Sequence, residues 1–383
     1  MERPLAGAVS IPSTALLGAM VGAPAVAAPL GATVAALAPP AGFMVGPVRV
    51  EPNVILAPMS GITDSAYRSV VKDLNPGAVG LVVTEFVSIE ALARQNLRTH
   101  RMLRYLPRER PLSVQLFGAS PARMAEAALI AQDLGADLVD VNCGCPVPKV
   151  VKKGGGAELM RQPVILAEVF RALRRTLAIP YTVKIRAGWD DQSRNAVEVA
   201  RMAEGEGVSM IAVHGRTRQQ LYTGRSDWDI IAAVKRAVRV PVVGSGDIEQ
   251  ASDALQRLAT SGVDGVMIGR GTLGHPWIFR EIAALRAGGV PMPVGLAERV
   301  TAIDMLLGRL AADLPPESAI GRARGLACRM IKFVRGGASI REALTRAPSI
   351  DAMRELLAAA VAAAAAEPAF PADPRELEYA ETP

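Results

Sequence analysis

The chain has 383 residues, half of them hydrophobic, carries 43 Lys and Arg against 37 Asp and Glu for a formal charge of +6, and contains three cysteines. That length and apolar content allow a substantial core, while so few cysteines exclude a disulfide-framed secreted module and point to a reducing, cytoplasmic compartment. No stretch stays free of Gly, Pro and charge over the length a membrane span needs, and the Arg-weighted basic excess permits a polyanionic partner without requiring one.

Residues 1–46 are rich in Ala, Pro and Gly with almost no charge, and Arg3 is balanced by Glu2. No basic leader precedes an unbroken apolar segment, so this stretch is expected to be a low-complexity, disordered extension, with Met44 a candidate start. From Val54 onward short β-branched runs alternate with amphipathic stretches, the pattern of βαβ units around a parallel sheet. Strands are predicted at VILAPM, LVVTEF, PLSVQLF, DLVDVNC, YTVKIRA, MIAVHGR, PVVGSGD and GVMIGRG, recurring at roughly thirty residues, about one βα unit each. Between them lie helical patterns such as PARMAEAALIAQDLG, where Met124, Ala127, Ala128 and Ala131 share a face and Gly135 is a stop. Eight such units predict a (β/α)8 TIM barrel over residues 47–288. The alternative, a doubly wound open sheet, usually carries a GxGxxG fingerprint after its first strand, and here APMSG stands in that place. After the break GGVPMPVG only helical patterns remain, which predicts a small C-terminal α-helical domain over 289–366 and a flexible tail over 367–383.

A barrel carries its site at the C-terminal ends of its strands. Those ends hold Met59 and Ser60, Glu85, Gln115, Asn142 with Cys143 and Cys145, Lys184 and Arg186, His214 and Arg216, Ser245 to Asp247, and Gly269 with Arg270. The glycine-rich loops after the last two strands read either as tight turns or as a phosphate cradle to which Arg270 adds charge. Lys184 is either half of an ion pair or a cation that stabilises negative charge developing on an electron-poor ring. His214 is either a structural imidazole or a ligand-facing one. Zinc would need two ligands beyond the cysteines of NCGCP, and none lies nearby, so no metal is expected. Gly144 and Pro146 imply a sharp turn that aims Cys145 into the mouth and leaves Cys143 packed. In the helical tail, Arg322, Arg324, Arg329, Lys332, Arg335 and Arg341 fall at helical spacings, either as phosphate contacts or as a solvated basic face.

The stretches LAPMSGITDSAYR, VQLFG, DVNCGCPVPKVVKKGGGAELM, VKIRAGW, VHGRTRQQLYTGRSDW, GSGDI and GVMIGRGTLGHPWIF occur in that order across residues 50–285. Together they resemble the tRNA-dihydrouridine synthase family, most strongly its bacterial B-type branch. The resemblance implies an FMN enzyme that uses NADPH to reduce the C5=C6 bond of particular uridines in tRNA, with the helical domain binding tRNA and the protein acting as a monomer. It implies that Pro58, Met59 and Ser60 line the flavin, that Gln115 and Lys184 contact its ring, and that His214, Ser245, Gly246, Asp247, Gly269 and Arg270 hold the ribityl chain and phosphate. By the same resemblance Cys145 is the general acid, and Asn142, Lys184 and Arg186 bind the target uracil. Chemically this is coherent: hydride added to uracil C6 leaves carbanion character at C5, and a thiol protonated at neutral pH can deliver the proton there. Ser245 stands where the family usually has Asn, Cys143 where Met is common, and Phe333–Val334 where a Trp-Tyr-like pair is usual. Two other readings are a flavin-dependent dehydrogenase of free dihydropyrimidine or dihydroorotate, disfavoured by HGRT with its downstream GRSDW and by the basic tail, and a tRNA-binding paralogue without turnover, disfavoured by the intact Cys145, Lys184 and phosphate loops.

Overall fold

The computed structural model describes residues 42–332 and 334–366. Expectations placed on the extension through residue 41, on Phe333 and on the tail from 367 lie outside the described residues. The described chain opens with an antiparallel hairpin, β1 (Phe43–Val45) and β2 (Val48–Val50), turning at Gly46 with φ +57. Val45 and Val50 are buried with Ile55, Leu81, Leu138 and Met210, so the hairpin seals the N-terminal end of the barrel with apolar side chains. It straddles residue 47, the boundary expected from composition.

The strands that follow are β3 (Val54–Leu56), β4 (Leu81–Val83), β5 (Val87–Ser88), β6 (Leu112–Phe117), β7 (Leu138–Cys143), β8 (Tyr181–Arg186), β9 (Ile211–His214), β10 (Val242–Ser245) and β11 (Gly265–Ile268). All eight predicted strands form, every pairing among them is parallel, and the ring closes where Val82 pairs with Leu112 and Val266 with Val54. This is a TIM barrel, with β5 a short addition at the end of β6. The strands are buried on both faces, which is why they read as continuous Val, Ile and Leu runs. Register places polar residues side by side: Asn142 opposite Lys184, Arg186 opposite His214, and Gln115, Asp140 and Thr182 on one rung.

Helices wrap the barrel as their caps and faces dictate. Asp64 caps the helix Ser65–Leu74, accepting from the Tyr67 N–H at 2.9 Å. Ser120 and Pro121 open the helix Pro121–Asp133, whose Met124, Ala127, Ala128 and Ala131 are buried as the spacing predicts and which packs on the helix Pro163–Thr176. Beyond Arg286 the chain is irregular up to four helices, Leu296–Asp313, Pro316–Met330, Gly337–Arg346 and Ile350–Ala366. Ile303, Leu306, Leu310, Ala323, Leu344 and Met353 form their shared core. Leu296–Asp313 lies against Ser65–Leu74, where Arg309 donates to Ser69 Oγ at 2.9 Å and pairs with Asp73. No helix among the described residues is long and apolar enough to cross a membrane.

Candidate active site

At the C-terminal end of the barrel opens a cleft of about 760 Å³, bordered by the ends of all eight barrel strands and by Arg329 from the helix Pro316–Met330. Every residue to which the family resemblance gives a role borders it except Gln115. Gln115 is fully buried, its side chain spanning Asp140 and Asn142.

One end of the cleft is built by two glycine loops. Gly246, at φ +126, cannot be replaced: an added Cβ would lie 2.3 Å from Ser226 Oγ and 3.1 Å from His214 Cε1. Asp247 follows in the left-handed region at φ +51. Its carboxylate accepts from the Ser226 N–H at 2.6 Å and pairs with Arg216 at 2.7 Å and Arg270 at 3.3 Å. Burial opposes ionisation of Asp247, but these bonds and guanidinium charges outweigh it and hold the carboxyl below its usual range. Asp247 therefore serves to aim Arg216 and Arg270, and only its backbone remains to meet an anion. Beside the Gly246 loop, at the end of β9, sits His214, a buried imidazole whose Nε2 has no hydrogen-bond partner. Burial, with Lys184, Arg186 and Arg216 adding to it, drives its pKa well below normal, so it is neutral. A neutral ring with an unused nitrogen, glycine loops and Arg270 are what a phosphate-bearing cofactor requires. The wall of Ala57, Pro58, Met59, Phe86 and Met267 suits the apolar face of a flat ring. These residues fit a flavin.

The Pro58–Ser60 wall is held from below. Met59 N–H donates to Thr63 Oγ1 at 2.9 Å, and Gly61 N–H donates to the buried Glu85 carboxylate. Arg322 of the helical region pairs with Asp64 and comes within 3.6 Å of Glu85, so the bundle braces the loop. Glu85 thus supports the site without entering it.

At the other end β7 runs out into the NCGCP turn. Cys143 is 0% exposed and packs in the core; Cys145 is 7% exposed and borders the cleft. Asn142 makes the turn, its Oδ1 accepting from the Cys145 N–H at 2.9 Å and the Gly144 N–H at 3.2 Å. Gly156, at φ +61, backs it so closely that a Cβ there would lie 2.6 Å from the Cys145 carbonyl oxygen and 3.1 Å from its Cβ. Arg186 clamps the same turn, its Nε donating to Gly144 O at 2.6 Å and its Nη1 to Thr217 O and Leu221 O at 2.9 Å. Burial raises the Cys145 thiol above its ordinary value against the opposing pull of the Val147 N–H, Arg186 and Lys184, so it is protonated at neutral pH. Lys184, partly exposed in the cleft, is pushed down to about 8 by burial and by Arg186. Cys145, Lys184 and Arg186 thus place a proton donor and two cations at one end of a cleft that can hold an anion at the other.

Several cleft residues went unremarked in the sequence. Lys149, on the short helix Pro148–Val151, and Lys153 just after it add positive charge to the rim, beside Arg329, which the sequence already offers as a phosphate contact. Tyr222, 56% exposed, lies between Arg186 and Arg270, whose guanidinium carbons are 5.6 and 5.3 Å from its ring centroid. Asp140 lies beneath the floor, 4% exposed, its carboxyl pushed up to about 6 by burial against the bonds from Thr182 and Gln115.

A family model described as dihydrouridine synthase (Dus) matches residues 55–366. The chain is 40% identical over 267 residues to the tRNA-dihydrouridine synthase B of Pseudomonas aeruginosa, covering 70% of this chain and 79% of that one. It is 46% identical over 243 residues, 63% of this chain and 74% of the other, to a probable tRNA-dihydrouridine synthase of Rhodobacter capsulatus. A probable tRNA-dihydrouridine synthase of Rickettsia prowazekii is 41% identical over 263 residues, 68% of this chain and 79% of its own.

Proposed function

Because the chain belongs to the dihydrouridine synthase family, an oxidoreductase family acting on tRNA, we propose that it reduces the C5=C6 bond of specific uridines in tRNA to 5,6-dihydrouridine, with FMN as cofactor and NADPH as reductant, in the cytoplasm and as a monomer. The observation that carries the mechanism is the Cys145 thiol opening into the same cleft as Lys184 and the glycine loops; burial, which raises the thiol, keeps its proton on at neutral pH. When bound, reduced FMN supplies the hydride that adds to uracil C6. His214, the Ser245–Asp247 and Gly269–Arg270 loops, and the Pro58–Ser60 wall hold the cofactor. Gln115, set just below the cleft, would meet the ring only through the part of its amide that Asp140 and Asn142 leave free.

The remaining steps belong to the protein. As C6 accepts hydride, negative charge spreads from C5 to the O4 carbonyl oxygen, and the cations of Lys184 and Arg186 stabilise it. Cys145 gives its proton to C5 as the C=C bond is lost and leaves as thiolate, which Lys184 and Arg186 also favour. The target base must leave the tRNA stack to reach the cleft. Lys149, Lys153 and Arg329 on the rim suit the phosphates on either side of it, which a free dihydropyrimidine would not need.

The test is to purify the protein, record its flavin spectrum, and map dihydrouridine in tRNA from cells with and without the gene. A yellow protein and loss of dihydrouridine at defined positions are expected. An unchanged dihydrouridine map would overturn the proposal, and equally efficient reduction of free uracil or orotate would transfer it to the dehydrogenase class.

A further inference from the structure

We infer that Asp140 is a positioning residue for the proton donor: through Gln115 and Asn142 it dictates how the turn that carries Cys145 is held. The inference rests on Cys145 being the donor. Gln115, Asp140 and Thr182 stand on one rung of the barrel, and all three are buried, at 0%, 4% and 0% exposure. Gln115 Nε2 donates to Asp140 Oδ2 at 2.7 Å, while the Thr182 hydroxyl donates to the other carboxylate oxygen and stops the group rotating. Asn142 Nδ2 donates to Gln115 Oε1 at 2.8 Å, and Asn142 Oδ1 then accepts from the Gly144 and Cys145 N–H groups.

The sense of each link follows from the one before it. A carboxylate only accepts, so the Gln115 amide must turn its NH2 toward Asp140 and its oxygen toward Asn142. Asn142 must then turn its NH2 toward Gln115, which leaves its oxygen for the Cys145 turn. Without Asp140 the Gln115 NH2 loses its acceptor, and the two amides keep this sense only through the Gly144 and Cys145 N–H groups, with no anchor at the barrel end. A buried NH2 without an acceptor draws Gln115 out of its place, and Asn142, bonded to it, would shift with it and weaken both of its bonds to the turn.

The role needs an acceptor at Oδ2 rather than a negative charge. An asparagine at this position can keep its oxygen toward Gln115 and give its NH2 to the Thr182 hydroxyl, so Asp140→Asn preserves the sense of every link. Asp140→Ala removes the acceptor, and with it the anchor of Gln115. A role as counter-charge to Lys184, which Asp140 also feels, predicts instead that Asn fails as badly as Ala.

The test compares both variants by two readouts: iodoacetamide alkylation of Cys145, assigned by fragment ions that separate it from Cys143 on the same peptide and from Cys328, and single-turnover reduction of tRNA by the pre-reduced holoenzyme. In Asp140→Ala, alkylation is expected to rise by about fivefold or more as the turn loosens, and tRNA reduction to slow by about tenfold or more. Asp140→Asn is expected to stay within about twofold of the parent in both. Unchanged Cys145 alkylation in Asp140→Ala, or an Asn variant as impaired as Ala, overturns the inference. Should Asp140→Ala not fold, Gln115→Met cuts the same chain at similar volume, and unchanged alkylation in that folded variant overturns it as well. Alkylation does not depend on uridine reduction, so a parent protein inert toward tRNA would remove the functional reading and leave this result readable.

Discussion

Two thiols separated by one glycine have opposite fates, and the difference is one of aim rather than acidity. Burial raises both, Cys143 with help from Asp140 and Cys145 against the Val147 N–H and two cations. Only Cys145 meets the cleft, so Cys145→Ala is expected to keep its flavin and fold while turnover on tRNA falls by about 10²–10⁴-fold, the usual worth of a general acid. Full turnover in that variant would remove Cys145 from the mechanism. The pH dependence separates the donor from the cation. Lys184, at about 8, is charged below that pH and loses its charge as pH rises through it, whereas the raised Cys145 thiol keeps its proton to higher pH. Reduction of tRNA is therefore expected to begin falling near pH 8, and a rate flat from about pH 7 to 9 would show that the Lys184 charge is not used. That Cys145, Lys184 and His214 would border one cleft was legible in the sequence, because barrel chemistry gathers at strand ends. Asp140 was not, since an acid in the middle of LVDVNC gains meaning only from register with Gln115 and Thr182, which lie 25 and 42 residues away.

At the level of elements, the barrel strands could be read because doubly buried parallel strands are apolar runs bounded by turn residues. The hairpin β1–β2 could not, as three-residue strands carry no period. The glycines of KKGGG read as a loop, but the close approach of Gly156 to the Cys145 turn is a tertiary fact. Its φ of +61 already disfavours a side chain, and a Cβ placed there would clash with backbone, 2.6 Å from the Cys145 carbonyl oxygen. Gly77 gives the matched control, at φ +72 with no atom within 4 Å of an added Cβ. Both Gly→Ala changes are expected to cost about 1–3 kcal/mol from the backbone conformation, read as a lower melting temperature. Gly156→Ala alone should also slow tRNA reduction, by displacing Cys145. Equal activity in the two variants would show that Gly156 does not set the turn.

For the molecule as a whole, a charge of +6 says nothing of where that charge is spent. Much of the basic tail is spent inside the protein: Arg322 pairs with Asp64, Arg324 donates to Ala347 O at 2.6 Å and Arg341 to Ile331 O at 3.5 Å. These side chains lock the helices to one another and to the loop under Met59, so the spacing that suggested a phosphate-gripping face partly records an internal scaffold. Arg329 reaches the cleft from the helices, and Lys149 and Lys153 meet it from the barrel loop beside Cys145. A tRNA backbone entering the mouth would run between them. Replacing Lys149 and Lys153 together with alanine should weaken tRNA binding and flatten its dependence on salt. For every phosphate that is no longer neutralised, the slope of log K against log salt is expected to shrink by about 0.7–0.9. The flavin spectrum should not change, because neither lysine borders the glycine loops. An unchanged slope would show that the RNA backbone enters by another side of the cleft, leaving Arg329 as the next residue to replace.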